Sequence, residues 1–185
     1  MSNKNLQGAL LLDGGKLQGS FFQHSVILIC HHDAEGAFGL ILNRPAGSVV
    51  GDAIVADIPD RIRKLPLYVG GPVQTNSLSF LYSDAFLPDA NVIPNLSVGH
   101  TLDELIDLGE SFSPTQKLKL FAGYAGWGPG QLEGELKRQD WLVHRPVLLD
   151  MVFSTEPKLL WKKILSSMDP MHKLVAESPE DLSWN

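Results

Sequence analysis

The chain has 185 residues, of which 44% are hydrophobic and 19% charged, and its formal net charge is −6 at pH 7. This composition is typical of a globular protein and excludes an intrinsically disordered one. The length fits one domain with an ordinary hydrophobic core, so we predict a single domain over residues 1–185. The acidic balance argues against nucleic acid as a partner, because phosphate contacts need clustered Lys and Arg.

The single cysteine and the absence of long apolar runs point to one compartment. Cys30 lies in an apolar run that is predicted to be a buried strand, and no internal disulfide can form. No apolar run approaches the roughly 20 residues that a membrane-spanning helix needs. The first residues show no pattern of a secretory signal. We therefore expect a cytoplasmic protein with no membrane partner.

The first half of the chain alternates short apolar runs with polar turns. From the N-terminus we predict strands at 8–12, 24–30 and 37–43, a helical region at 52–64, and strands at 67–69 and 78–82. The polar turn at 33–36 joins the second and third strands as an antiparallel hairpin. Pro45 should end the third strand because proline has no N–H for the ladder, and Pro59 should interrupt the helical region.

The second half carries clearer helix signals. We predict a helix at 101–109, a strand at 117–121, a glycine-rich loop at 123–130, a helix at 131–138, a strand at 141–143 and a helix that begins near 155. Thr101 and Glu104 have the spacing of a capping box. The last helix has apolar residues at helical spacing, which are Leu160, Trp161, Ile164, Leu165 and Met168. A loose, polar tail is expected from about residue 173.

Three stretches, residues 25–45, 68–73 and 121–133, together resemble the YqgE/AlgH family of small bacterial proteins. The third contains the string G-Y-A-G-W-G-P-G-Q-L-E, which is too specific to arise by chance. The resemblance extends from about Gly8 to the helix around Trp161. It implies a compact α+β fold, with a barrel-like mixed sheet that is largely antiparallel and flanked by a few helices. It supplies no catalytic residues, although some members of the family are labelled transcriptional regulators.

The candidate ligand-binding residues lie where predicted strands end. They are Asn43, Arg44, Gly70, Gly71, Tyr124, Gly126, Trp127, Gly130 and Gln131. Backbone N–H groups of a glycine-rich loop before a helix can hold an anion, and an arginine can bind a carboxylate or phosphate through two N–H groups. These residues fall in three segments, at 43–44, 70–71 and 124–131. If the three segments meet on one side of the sheet, they form one site. The alternative is structural: tight turns, aromatic side chains that fill the core, and an ion pair for the arginine.

Other catalytic and metal chemistry finds little support in the sequence. The histidines at 31 and 32 have no second ligand pair at zinc spacing, so we predict an exposed polar turn, no metal and no cofactor. Cys30 lies in mid-strand, where a thiol is usually inert, and the chain has no G-x-S-x-G motif. Glu133 and Glu135 point to different faces of a helix and are expected to be solvated charges.

Three hypotheses for function follow. The first is a non-enzymatic binding or regulatory module that acts through a protein partner or a small anionic ligand. The second is an enzyme that acts on a small anionic substrate held by the strand-end glycine-rich loops. Direct DNA binding is the third, and both the acidic charge and the lack of a recognition motif disfavour it. The lysines at 158, 162 and 163 are expected to form a solvated helix face.

Overall fold

Nine strands and seven helices form in the part of the chain that the structure, a computed structural model, describes: residues 5–111, 113–168 and 170–177. The strands are β1 (Leu10–Asp13), β2 (Val26–Asp33), β3 (Gly36–Ile41), β4 (Pro45–Val49), β5 (Pro66–Val69), β6 (Val73–Ser83), β7 (Leu96–Gly99), β8 (Lys117–Trp127) and β9 (Trp141–His144). The helices are α1 (Val50–Ala53), α2 (Asp60–Arg63), α3 (Leu102–Glu110), α4 (Gln131–Lys137), α5 (Leu149–Phe153), α6 (Pro157–Met168) and α7 (Pro170–Glu177).

Strand β8 is the centre of the sheet because three other strands pair with it. Its first half pairs with β6 in antiparallel and with β5 in parallel orientation, and its second half pairs with β3. From β3 the sheet continues through β2 and β1 to β9, all antiparallel. Strand β4 extends the sheet beyond β5, and β7 extends it beyond β6. The result is a mixed, largely antiparallel half-barrel with flanking helices, which confirms the predicted α+β class.

The buried strand β2 shows why its sequence is apolar without a break. Residues Val26 to Cys30 are all buried, and their side chains alternate between two hydrophobic clusters. Leu28 and Cys30 pack with the helix α6, whereas Ile27 and Ile29 pack with Trp127 and Trp141. Both faces of the strand are therefore covered, as continuous apolarity predicts.

Helix α6 closes one side of the half-barrel. Its predicted apolar stripe is confirmed: four of the five residues are buried, and Met168 packs against the same cluster. The indole Nε1 of Trp161 donates to the main-chain oxygen of Asp13 at 2.8 Å. The buried carboxylate of Asp13 accepts N–H groups from Gly15, Leu17 and His24, which organises the loop between β1 and β2. This loop brings Phe21 beside the end of β3.

Several short elements differ from the sequence prediction. The helical region at 52–64 consists of the two short helices α1 and α2, and Pro59 is the N-cap of the second. Pro45 starts the edge strand β4, where a missing N–H is tolerated. Strand β7 and helix α5 were not predicted. Helix α7 includes residues 173–177, where the tail was expected to begin, and residues 178–185 of that tail lie outside the described residues.

Helix α3 has an N-terminal cap. The Thr101 hydroxyl accepts the N–H of Glu104 at 3.3 Å, so the predicted cap of α3 is confirmed. The Glu104 carboxylate, however, accepts from the Tyr82 hydroxyl.

Among the described residues, no helix combines the length and the apolar character needed to span a bilayer.

Candidate functional site

The Gly-Gly-Pro segment after β5 lies at a branch of the sheet. The N–H of Gly70 donates to Ala122 of β8 at 2.8 Å, and its carbonyl accepts the N–H of Ile41, which ends β3, at 2.9 Å. Gly70 therefore lies between two strands. A Cβ on Gly71 would collide with the main chain of Tyr124. Glycine is required here because backbones from three strands approach each other without room for side chains.

Gly123 completes this arrangement, and we call Gly70, Gly71 and Gly123 the glycine junction. Gly123 has a φ of +69°, and a Cβ on it would lie 2.5 Å from the carbonyl oxygen of Gly71. The predicted loop at 123–130 is thus wrong over most of its length. Residues up to Trp127 belong to β8 and pair with β3, and only residues 128–130 form a turn. Runs of glycine at a strand junction resemble a loop in sequence.

The turn at 128–130 is organised by one glutamate. Trp127 is buried, and its indole Nε1 donates to Oε2 of Glu135 at 2.8 Å. The indole of Trp141 donates to the same oxygen at 2.8 Å, and Gln131 donates to Oε1 at 2.9 Å. Gly130, with a φ of +72°, is the N-cap of α4. Glu135 is therefore the anchor of two tryptophans, and the prediction of a solvated charge is wrong.

The second glutamate of α4 is also engaged. Nε2 of His32 lies 3.1 Å from Oε1 of Glu133, while Nδ1 of His32 accepts the N–H of Leu6 at 3.0 Å. His32 is buried, so the exposed turn is predicted correctly for His31, which pairs with Asp33, and wrongly for His32. In the described residues, no three His, Cys, Asp or Glu side chains are grouped as a metal ion would require.

The side chain of Arg44 packs on an aromatic ring. Its guanidinium carbon lies 4.4 Å from the centroid of the Phe21 ring, and the side chain is half-buried. Burial lowers the pKa of Arg44 from its ordinary value. Among the described residues no carboxylate pairs with the guanidinium, so the structural ion pair that the sequence allowed does not form there. In the part of the chain that the structure describes, the Arg44 cation is held by an aromatic face and by no counter-charge.

The neighbouring Asn43 has a structural task. Its Oδ1 accepts the N–H of Val26 at 2.9 Å, and its Nδ2 donates to the carbonyl of His24 at 2.9 Å. The amide thereby joins the end of β3 to the start of β2. This bridge fixes the chain just before Arg44.

A buried lysine lies below the same segment and was not predicted. Lys119 is 7% exposed, and its Nζ donates to the carbonyls of Leu42 at 2.8 Å and Val152 at 3.0 Å. The third side of the ammonium faces the ring of Tyr68, 4.0 Å from its centroid. Burial lowers the pKa of Lys119 to about 8. We call Phe21, Asn43, Arg44, Tyr68 and Lys119 the Arg44 cluster.

The structure brings only some of the predicted residues together. The carbonyl of Arg44 accepts the N–H of Val69 at 2.8 Å, so Arg44 adjoins the glycine junction. Trp127, by contrast, pairs with Ala37 at the start of β3, whereas Arg44 follows the end of that strand. Gly130 and Gln131 lie beyond Trp127. The three segments therefore do not converge on one site, and a ligand-binding role for their residues stays a prediction.

Tyr124 and Gly126 lie between these two ends. The Tyr124 ring packs on Phe38, with centroids 5.1 Å apart. A Cβ on Gly126 would lie 3.1 Å from the edge of the Tyr124 ring, so the glycine leaves this edge uncovered.

The comparisons with known proteins agree with this fold. The model of the AlgH-like family matches residues 10–173. The chain belongs to this family. The membership predicted from three motifs is thereby confirmed, and the AlgH-like family has no established biochemical function.

Relatives of the AlgH-like family are similar over nearly their whole length. A UPF0301 protein of Chlorobium luteolum is 35% identical over 94% of this chain and 91% of its own, and one of Chlamydia pneumoniae is 32% identical over 97% and 95%. The solution structure of AlgH from Pseudomonas aeruginosa is similar with a TM-score of 0.73, 25% identity and 98% coverage of both chains. A crystal structure from Corynebacterium diphtheriae, 24% identical over 95% and 94%, shares the fold with a TM-score of 0.76.

Proposed function

We propose that this protein is a non-enzymatic binding module of the bacterial cytoplasm, which binds a small anionic ligand at the Arg44 cluster. One observation carries the proposal: a half-buried guanidinium lies on Phe21 without a carboxylate partner among the described residues. A desolvated cation without a counter-charge is costly, and a bound anion would offset that cost.

The chemistry of the guanidinium selects the ligand class. Arginine offers five N–H donors in a planar fork that matches a carboxylate or a phosphate. One face of the Arg44 guanidinium is covered by Phe21, so the free edge of the guanidinium, which carries the N–H donors, is the side that can bind a ligand. Lys119, whose ammonium donates to the carbonyl of Leu42 two residues before Arg44, adds a second positive charge to the local potential. A ligand with two or more negative charges is therefore favoured over a neutral one.

Two ionisable groups in this part of the molecule are held by the main chain. Lys119 donates to two main-chain carbonyls, and Asp13 accepts three main-chain N–H groups. Within the described part of the chain, no hydrogen bond directs either group toward the Arg44 guanidinium. For comparison, a general acid or base has to reach the reacting atom directly or through one water. The enzyme alternative would need such a group at Arg44.

The test is a calorimetric titration of the full chain with inorganic phosphate, pyrophosphate and citrate. We expect saturable binding of at least one of these anions, weakened about tenfold or more in Arg44→Gln, because a hydrogen-bonded charge pair contributes roughly 1.5 to 3 kcal/mol. Arg44→Lys should retain part of the affinity, since the charge remains while the fork is lost. Native mass spectrometry of protein purified from bacterial cytosol would then identify the physiological anion.

Lys162→Gln is the matched control, because Lys162 is an exposed cation on the outer face of α6. It should bind the anions as the wild type does. Equal affinities of Arg44→Gln and the wild type for all three anions, or no saturable binding by either, would refute the proposal. Turnover of an anionic substrate that depends on Arg44 would instead establish the enzyme.

A further inference from the structure

A second surface of the molecule holds a histidine in a fixed orientation. Ser79 lies in β6 and is 4% exposed, and its Oγ is 3.0 Å from Nδ1 of His100. His100 follows β7 directly and is itself exposed. Because Nδ1 is hydrogen-bonded to a buried hydroxyl, the imidazole ring of His100 cannot turn freely, and its Nε2 is directed away from Ser79. The fold thus presents one imidazole nitrogen at the surface.

Two aromatic rings stand beside this imidazole. Phe38 meets His100 edge to face, with centroids 5.3 Å apart and planes at 79°. Tyr124 also packs on Phe38, with planes at 40°. Both rings are half-buried, and Gly126 leaves the edge of Tyr124 uncovered. An apolar, ring-shaped ligand could therefore stack here next to a polar group.

A bulge in β6 frames the same surface. Val73 pairs with Tyr124, and regular pairing resumes only at Leu78, so residues 74–77 leave the ladder. All four are exposed and polar, and Gln74 has a φ of +44°, which is rare for a residue with a side chain. Bulges of this kind commonly redirect a strand beside a binding site. Here the bulge begins opposite Tyr124 and ends beside Ser79.

We propose that this surface, defined by Phe38, Ser79, His100 and Tyr124 and called the His100 surface, binds a planar aromatic ring that carries a hydrogen-bond acceptor. The aromatic walls stack with the ring. In the tautomer in which the Ser79 hydroxyl donates to Nδ1, Nε2 of His100 carries the proton and donates to the acceptor of the ligand. A nucleobase and an aromatic carboxylic acid share this chemistry. The proposal is independent of the Arg44 cluster, because adenosine, an uncharged nucleoside, offers no anion to a guanidinium.

The test is an NMR titration of the isotope-labelled full chain with adenosine, with benzoate and with cyclohexanecarboxylate. We expect saturable shifts of the His100 and Tyr124 ring signals with adenosine or benzoate, and none with the non-planar acid. Saturation by adenosine alone assigns the nucleobase class, and saturation by benzoate alone assigns the aromatic acids. Absence of saturable shifts with both, or equal binding of cyclohexanecarboxylate, overturns the proposal.

Variants locate the binding and separate it from the first site. His100→Ala should weaken the aromatic ligand about tenfold, as loss of one hydrogen bond and a ring contact predicts. His31→Ala, a change at another exposed histidine, should not weaken it. Ser79→Ala should alter the ring nitrogen shifts of His100 before any ligand is added, a readout specific to ring orientation. Unchanged affinity in His100→Ala, or loss of adenosine binding in Arg44→Gln, overturns the proposal.

Discussion

The two halves of β8 use glycine and polar groups in opposite ways. From its start to its middle, the strand meets β5 and β6, and at Gly123 and Tyr124 its main chain touches that of Gly71 in the glycine junction. In its second half the strand pairs with β3 and ends in Trp127, whose indole N–H is hydrogen-bonded to Glu135. The glycine junction at the middle of β8 leaves no room for a side chain, whereas the turn after the second half has room around Gly130.

This difference separates two uses of glycine that look alike in sequence. In the junction, the chain itself occupies the space that a ligand would need, so the glycines are explained by packing. In the turn at 128–130, Gly130 supplies the left-handed backbone conformation, and the N–H of Gly128 is hydrogen-bonded to the side chain of Gln131. We therefore expect substitutions in the glycine junction to cost far more stability than those in the turn.

The largest effect is expected from Gly71→Ala. A Cβ at this position would collide with the main chain of Tyr124, which cannot move without breaking the pairing of β8. The free energy of unfolding should fall by about 4 kcal/mol or more, a large share of the roughly 5 to 15 kcal/mol that stabilises a typical domain. Urea denaturation followed by circular dichroism measures the loss. A loss below about 1 kcal/mol would contradict the packing account.

The buried cation of the first half gives the next prediction. Burial lowers the pKa of Lys119 from 10.5 to about 8, so between these values the unfolded state holds a proton that the folded state has released. The free energy of unfolding should therefore rise as the pH increases from 8 to 10.5, by about 3 kcal/mol at most. Below pH 8 both states are protonated and this contribution is constant.

Urea denaturation of the wild type and of Lys119→Met at pH 7.5 and at pH 10 isolates this effect. Lys119→Met removes the titrating group, so the difference in stability between the two proteins should change with pH in favour of the wild type. Parallel pH profiles would show that the ammonium is not desolvated as its burial indicates.

A smaller effect is expected in the second half, from Glu135→Ala. The change leaves the indole N–H groups of Trp127 and Trp141 without their shared acceptor, which should cost about 2 kcal/mol. Glu135→Gln keeps one side-chain oxygen and should cost less. Chemical denaturation gives both values, and tryptophan fluorescence reports whether the rings become exposed. Equal losses for the two variants would exclude a role for the acceptor oxygen.

The smallest effect is expected from Gly130→Ala. A Cβ there has no atom within 4 Å, so only the φ of +72° opposes the change. The cost should be about 1 kcal/mol, the usual penalty for a left-handed residue with a side chain. Thermal unfolding beside Gly71→Ala tests the contrast directly. If Gly130→Ala proves the more damaging of the two, the comparison between the halves of β8 is wrong.

Much of the fold could be predicted because its signals are local. The hairpin of β2 and β3 follows from two apolar runs around a polar turn, and α6 follows from a stripe at helical spacing. Strand β7 and helix α5 were missed because four or five residues are too short for a period to show. The burial of Lys119 was not predicted, because polar and apolar residues alternate at 117–121 as in a half-buried strand, whereas both faces of β8 are covered in the half-barrel.

The candidate site could be predicted only in part, because it depends on contacts between residues far apart in sequence. Arg44 was found from its place after a strand. Its partner Phe21 and the nearby Lys119 come from other parts of the chain, and no local pattern links them. The pair of Ser79 and His100 likewise forms only when β6 and β7 align.

The lone cysteine offers a practical consequence. Cys30 is 2% exposed in the middle of β2, and burial strongly raises the pKa of its thiol, so the reactive thiolate is suppressed in the folded protein. Alkylating reagents should therefore modify the chain only when β2 opens. Cys30 can therefore serve as a natural probe of local unfolding. The rate of thiol labelling, measured by mass spectrometry, reports how often the centre of the sheet opens, without any engineered probe.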